Sequence, residues 1–329
     1  MEYVTLNNGV QMPMLGYGVY QVDPAECERC VSDAIAVGYR SIDTAQAYAN
    51  EEGVGAAVRK SGVPREEFFL TSKVWITNAG YEKARASIDE SLKKLQTDYL
   101  DLMLIHQPFN DYYGTYRAME DAYQAGKLRA IGVSNFYPDR FIDLYHFVDV
   151  KPAVNQIETH PFQQQRQAHE ILQKYGVQHE SWGPFAEGRK DLFQNPVLTG
   201  IGGKYGKSAA QVVLRFLIQS GVVVIPKSTH RERMEENLSV FDFSLSQEDM
   251  AAVQALDEGE SAFFSHYDRT RWNGLWGWSG EGDGHGKEMA DRLLFPLQRQ
   301  HPAHRPGDAA GDRGRPGGAP DRGALHRHL

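Results

Sequence analysis

The stretch Tyr39-Arg40-Ser41-Ile42-Asp43-Thr44-Ala45-Gln46-Ala47-Tyr48 decides the fold of this chain. Its first half predicts a short apolar strand, and its second half predicts a polar turn that carries an acid and a phenol. Gly38 ends the helix before it, and Glu51 begins the helix after it. Asp43 and Tyr48 therefore belong to a strand-to-helix loop. In a parallel α/β protein such loops lie at the carboxyl ends of the strands, where ligands bind.

The same strand-and-helix unit repeats along the chain, starting at residue 14. Hydrophobic periodicity predicts eight strands, nearly every one followed by a helix. The predicted strands are 14–18, 41–42, 68–73, 100–105, 128–133, 153–156, 177–181 and 222–225. The predicted helices are 24–37, 51–60, 80–95, 114–125, 138–147, 164–174, 208–219, 231–239 and 246–256. This alternation implies parallel strands with right-handed crossovers, and the count favours a (β/α)8 TIM barrel over a doubly wound sheet.

Two local patterns complete the predicted fold. Asn7-Asn8-Gly9 between two short apolar runs predicts an N-terminal β-hairpin. The glycine pattern of a doubly wound dinucleotide-binding fold is missing from residues 14–24, and its nearest match, Gly200–Gly206, has no strand before it. We interpret Gly200–Gly206 as a flexible linker.

Composition and charge exclude several classes of function. The chain has 329 residues and a formal net charge of −8 at pH 7, which argues against a nucleic-acid surface. No window is long and apolar enough for a membrane-spanning helix, and the first residues do not resemble a signal segment. Cys27 and Cys30 have no partners for a zinc site, and their flanks are typical of a helix surface. We expect a cytoplasmic monomer with no metal, no nucleic-acid partner and no membrane partner.

Polar residues collect at the carboxyl ends of the predicted strands. Singly, each has a common structural explanation, such as helix capping or a solvated ammonium. Together at one barrel mouth, Asp43, Lys73, Tyr48 and His106 form a proton-transfer site. A nearby ammonium favours phenolate, so we expect Lys73 to lower the pKa of Tyr48. Asp43 would keep Lys73 charged, and His106 would hydrogen-bond a substrate oxygen.

A second group of residues follows the later strands and suits a nicotinamide dinucleotide. Amide side chains can grip a carboxamide, an indole offers a flat face to a ring, and clustered cations bind phosphate. The residues in question are Asn135, Gln156, Trp182, Lys227, Ser228 and Arg233.

The chain resembles the aldo-keto reductase family, whose members are NADPH-dependent (β/α)8 barrel enzymes. The resemblance runs from about residue 4 to about residue 268. The matching motifs are 38–45 with Tyr48, 73–75, 104–106, 132–136, 155–158 and 225–228 with Arg233, Glu236 and Asn237. The stretch from Gln107 to Tyr113 is brief, as in bacterial members similar to diketogluconate or glyoxal reductases.

This resemblance implies roles for the residues. Tyr48 would be the proton donor, Lys73 and Asp43 would tune it, and His106 would orient the carbonyl. The implied cofactor is NADPH, held by Ser134, Asn135, Gln156, Trp182, Lys227, Ser228, Arg233, Glu236 and Asn237. The substrate pocket would be lined by Tyr20, Trp75 and Phe109. The implied reaction is hydride transfer to a small aldehyde, ketone or dicarbonyl. The alternative is an NADPH-binding regulatory subunit of the same fold with little catalysis.

The resemblance stops after Asp268. The family usually continues with an apolar segment over the substrate pocket, whereas residues 302–329 of this chain are dominated by Gly, Pro, Arg and Ala. Such a segment cannot bury enough apolar surface to offset its ordering entropy. We therefore predict a barrel domain over 1–268 and a disordered tail over 269–329. A shifted reading frame is an alternative origin for this tail. A separate alternative for the function is a barrel that binds the cofactor but turns over poorly, because the usual lid is lost.

Overall fold

The computed structural model describes residues 1–267, so the predicted tail over 269–329 lies outside the described residues. The chain begins with an antiparallel hairpin, which pairs β1 (Tyr3–Thr5) with β2 (Gln11–Pro13). Gly9, with a φ of 87°, supplies the positive backbone angle that the tight turn needs. The predicted hairpin is confirmed.

In the described part of the chain eight parallel strands follow, and each pairs with the next along the sequence. They are β3 (Tyr17–Gly18), β4 (Ser41–Asp43), β5 (Phe69–Val74), β6 (Leu102–Ile105), β7 (Ile131–Ser134), β8 (Val154–Glu158), β9 (Gln178–Trp182) and β10 (Val223–Val224). A parallel bridge between Leu15 and Val224 joins the first strand to the last. The Gly16 N–H donates to the Val224 carbonyl at 2.8 Å, and the Val224 N–H donates to the Met14 carbonyl at 3.0 Å. The sheet is therefore closed into the predicted barrel.

Helices connect the strands on the outside of the barrel. They are α1 (Pro24–Val37), α2 (Glu51–Lys60), α3 (Tyr81–Leu95), α4 (Tyr112–Gln124), α5 (Pro138–Phe147), α6 (Arg166–Lys174), α7 (Pro196–Tyr205), α8 (Ala209–Gln219), α9 (Arg231–Leu238) and α10 (Gln247–Gln254). Helix α1 shows why the sequence marks their ends. The Asp23 carboxylate accepts from the Ala25 N–H at 2.8 Å, and Gly38 follows the last turn with a φ of 123°. Cys27 and Cys30 on this helix are buried and form no disulfide bond.

The prediction that Gly200–Gly206 is a flexible linker is wrong, because residues 200–205 belong to α7 and Gly206 caps its end. The Asn195 side chain accepts from the Val197 and Leu198 N–H groups at 3.0 and 3.3 Å, which fixes the start of the helix. Gly202 is buried, and a Cβ on it would lie 2.3 Å from the Lys207 carbonyl oxygen. Glycine is needed there for close backbone packing, not for flexibility.

Each strand from β4 to β8 is buried at every position, as parallel strands covered by helices are. Within residues 1–267 there is no helix long and apolar enough to cross a membrane, and no group of three or more His, Cys, Asp or Glu side chains that could hold a metal ion.

Candidate active site

Lys73, near the end of β5, is the centre of the polar cluster at the barrel mouth. It is fully buried, and its Nζ donates to Asp43 Oδ1 at 2.5 Å and to the Thr44 carbonyl at 2.9 Å. Tyr48 lies in the turn Gln46–Tyr48 after β4, and its Oη is 3.5 Å from Lys73 Nζ. The structure therefore brings together Asp43, Lys73 and Tyr48, as the sequence predicts.

The pKa of Tyr48 differs from the expectation. Burial, followed by the nearby carboxyl groups of Asp43 and Glu180, raises the pKa of the Tyr48 phenol well above its ordinary value. The expected lowering of the Tyr48 pKa by Lys73 is wrong for this structure. The Lys73 ammonium is directed at Asp43, because its Nζ lies 2.5 Å from Asp43 Oδ1 and 3.5 Å from the phenol oxygen. Tyr48 thus holds its proton firmly at neutral pH.

His106 completes the cluster from the end of β6. Its ring lies edge-on to Tyr48 at a centroid distance of 5.6 Å and to Trp75 at 5.0 Å. Burial, with the Lys73 charge as a second cause, holds the pKa of His106 well below its usual range, so the imidazole is neutral. Its Nδ1 is buried and has no hydrogen-bond partner among the described residues.

The predicted pocket residues take two positions. Tyr20 packs on Tyr48 with ring centroids 5.1 Å apart, and Trp75 packs on His106, so both line the tetrad directly. Phe109 instead stacks on His266 at 5.8 Å. His266 is itself fixed by a 2.7 Å hydrogen bond between its Nε2 and Gln107 Oε1.

The predicted carboxamide-binding group lies beside the tetrad. Asn135 has a left-handed backbone with a φ of 63°, which Asn tolerates better than most residues. Its Nδ2 donates to the His106 carbonyl at 3.1 Å and to Ser134 Oγ at 3.2 Å, while its Oδ1 accepts from Trp182 Nε1 at 2.8 Å. Gln156 Nε2 donates to Asp43 Oδ2 at 2.9 Å and so links this group to the tetrad.

The predicted phosphate-binding group follows β10. Lys227 and Arg233 are exposed and form no ion pair with any residue of the described range. Ser228 is buried and is held in place by a 3.1 Å hydrogen bond from the His230 N–H to its Oγ. Glu236 accepts from Ser208, the residue that caps α8, and the neighbouring Asn237 is buried.

The family of the chain follows from its similarity to known proteins. The sequence model described as "Aldo/keto reductase family" matches residues 12–258. The chain belongs to the aldo-keto reductase family. This aldo-keto reductase is 50% identical over 261 residues to glyoxal reductase from Bacillus subtilis (strain 168), covering 79% of this chain and 94% of that protein.

Two further comparisons agree. Methylglyoxal reductase DkgA from Escherichia coli (strain K12) is 42% identical over 260 residues, covering 78% of this chain and 94% of that protein. The crystal structure of a Bombyx mori aldo-keto reductase in complex with NADP is 33% identical with a TM-score of 0.77, covering 83% of this chain and 96% of that chain. As an aldo-keto reductase, the protein is an oxidoreductase that acts on carbonyl compounds and uses a nicotinamide cofactor.

Glu180 also lies in this aldo-keto reductase site, although the sequence pattern does not single it out. It is 1% exposed, and its Oε2 accepts from Gln156 Nε2 at 2.9 Å. Burial, followed by the charge of Asp43, raises the pKa of Glu180 to about 8. Strand register identifies Glu180 as a member of the site, because Gln156 on β8 and Glu180 on β9 are paired directly.

Proposed function

We propose that this aldo-keto reductase transfers a hydride from NADPH to a small aldehyde, ketone or dicarbonyl, with Tyr48 as the proton donor. The observation that carries the proposal is the arrangement of Asp43, Lys73, Tyr48 and His106 within contact distance at one mouth of the barrel. The names of the two bacterial relatives support a dicarbonyl such as methylglyoxal as the first substrate to test.

The side chains around the tetrad fit a nicotinamide cofactor. Gln156 donates through its amide nitrogen to Asp43 and Glu180. Among residues 1–267 no donor bonds to its Oε1, which can then accept from a carboxamide N–H. Trp182 is half-buried, and its indole ring is fixed through Asn135. A bound reduced nicotinamide supplies the hydride.

The preference for NADPH over NADH rests on the cationic group after β10. Lys227 and Arg233 are exposed side chains that make no ion pair within the described range, so their charges are available to a 2′-phosphate. The buried Ser228 hydroxyl lies beside them and offers a further polar contact. Glu236 and Asn237 would complete this end of the site from α9.

Tyr48 performs the proton transfer in this proposal. Its raised pKa keeps the phenol protonated until negative charge develops on the substrate oxygen, which then takes the proton. Lys73, with its Nζ 3.5 Å from Oη, stabilises the phenolate that forms, and Asp43 holds Lys73 in place. Neutral His106 donates one N–H to the carbonyl. We assign that proton to Nε2, because Nδ1 is buried without a partner in the described residues.

Replacing Tyr48 by Phe tests this role. The variant should reduce methylglyoxal with kcat lowered about 10²- to 10⁴-fold, because the general acid is lost, while NADPH still binds. Turnover is followed by loss of the nicotinamide absorbance band. Tyr123→Phe on α4 is the matched control, since its ring packs against the core away from the tetrad. Undiminished turnover in Tyr48→Phe, or no turnover of any carbonyl by the unmodified protein, would overturn the proposal. NADPH binding without reduction would instead favour the regulatory-subunit alternative.

A further inference from the structure

Glu180 is a buried acid in the barrel interior that the proton transfer described above does not use. Its neighbours in the sheet are Gln156 on β8 and Val223 on β10. One amide group, Gln156 Nε2, donates to both Asp43 Oδ2 and Glu180 Oε2, each at 2.9 Å. The two hydrogens of that amide are thus both assigned to carboxyl groups. Gln156 can rotate its amide only by breaking both bonds.

The charges around Glu180 do not balance if it is ionised. The titratable groups that face it are Asp43 from β4, Lys73 from β5 and Tyr48 from the turn after β4. Lys73 is already paired with Asp43 at 2.5 Å, so a second carboxylate would be a buried, uncompensated charge. Burial and the Asp43 charge both favour the protonated form of Glu180 at neutral pH.

We propose that Glu180 is a positioning residue of the reductase site, which fixes the Gln156 amide through its carboxyl group and keeps the buried cluster neutral by holding a proton. This inference rests on the proposed reduction, in which negative charge develops on the substrate oxygen. A neutral Glu180 adds no second negative charge beside Lys73, so the ammonium, paired with Asp43 alone, can stabilise the Tyr48 phenolate. An ionised Glu180 competes with Asp43 for Lys73 and opposes the developing charge, so reduction slows.

The pH dependence of reduction tests this inference. The unmodified protein, Glu180→Gln and Glu51→Gln are assayed with NADPH and methylglyoxal from about pH 6 to about pH 10, each normalised to its own acidic plateau. Glu180→Gln keeps the size of the side chain and an oxygen acceptor for Gln156, but it cannot ionise. Glu51→Gln is the matched control, because Glu51 is also a buried carboxyl but bonds to Ser72 Oγ at 2.6 Å.

The unmodified protein and Glu51→Gln should lose kcat/KM as the pH rises through about 8, whereas Glu180→Gln should not. Glu180→Met, which removes the acceptor, should raise the KM for NADPH about 2- to 10-fold relative to Glu180→Gln, as expected for one lost hydrogen bond. The role of Glu180 would be overturned if kcat/KM fell at alkaline pH in Glu180→Gln as it does in the unmodified protein. It would also be overturned if kcat/KM did not fall in the unmodified protein. Failure of the proposed function would look different: no carbonyl would be reduced, or Tyr48→Phe would keep full activity.

An infrared measurement on the unmodified protein keeps the inference testable if a Glu180 variant does not fold. The band of a protonated carboxyl group should be present at neutral pH and disappear above about pH 8. The band should persist in Glu51→Gln, in which the buried carboxyl group beside Ser72 is replaced by an amide. Absence of a protonated carboxyl band at neutral pH would contradict the role assigned to Glu180.

Discussion

Lys73→Met should strongly destabilise the barrel, because it leaves the Asp43 carboxylate without its cation. The pair is held at 2.5 Å, with the side chains of Lys73 and Asp43 only 0% and 3% exposed. Removing one partner of such a pair costs about 3–5 kcal/mol. That is a large share of the roughly 5–15 kcal/mol that holds a typical domain folded. At about 2–4 °C per kcal/mol for a chain of this size, the melting temperature should fall by about 6–20 °C.

Asp43→Asn combined with Lys73→Met should be less destabilised than the sum of the two single changes, because no buried charge is left unpaired.

Denaturant unfolding followed by tryptophan fluorescence measures these differences. The control is Lys60→Met, which breaks the surface pair Lys60–Glu28, also 2.5 Å long but 60% and 43% exposed. That change should cost no more than about 1 kcal/mol. A loss of unfolding free energy in Lys73→Met as small as that in Lys60→Met would refute the reasoning. A strictly additive double variant would refute it as well.

Two further predictions concern α7 and the cofactor. Gly202→Ala should destabilise the fold by about 1–3 kcal/mol, because the new Cβ would lie 2.3 Å from the Lys207 carbonyl oxygen. Gly203→Ala should stabilise the fold by about 0.5–1 kcal/mol, because a Cβ at this position has no atom within 4 Å. Thermal melts of both variants measure the difference, and equal shifts would contradict the packing account. Lys227→Gly should weaken NADPH binding about 10-fold and NADH binding much less. Titration of nicotinamide fluorescence measures both affinities. An equal loss of affinity for the two cofactors would contradict the assignment of Lys227 to the 2′-phosphate.

Local signals predict most of this fold. Helix ends follow from single residues such as Asp23 and Gly38, and the predicted bounds 51–60 and 138–147 agree with α2 and α5. The short strands β3 and β10 are less well predicted, because their length depends on the partners that close the barrel. Helix α7 is missed for a similar reason. Its glycines look flexible in sequence, and only the neighbouring Lys207 backbone shows that Gly202 is a packing position.

The candidate site also combines features that the sequence predicts with features that it does not. Asp43, Lys73 and His106 are predictable, because strand ends in a barrel meet at one mouth. The direction of the Tyr48 pKa shift is not predictable, since it depends on burial and on which of two neighbours Lys73 approaches more closely. Glu180 looks like an ordinary residue within a strand until the register places it opposite Gln156. Contacts between distant strands decide both results.

The closure between Leu15 and Val224 has a consequence for how the chain is made. Tyr17 in the first barrel strand donates its hydroxyl hydrogen to the Ser228 carbonyl at 2.5 Å, and these residues are 211 positions apart. At about 5–20 residues per second, synthesis delays that contact by about 10–40 s. During this interval the outer edge of β3 has no strand beside it, which is the condition under which nascent chains aggregate. The N-terminal half of the barrel therefore needs protection from aggregation while the chain is on the ribosome. Pairing of the last strand with β3 ends that exposure.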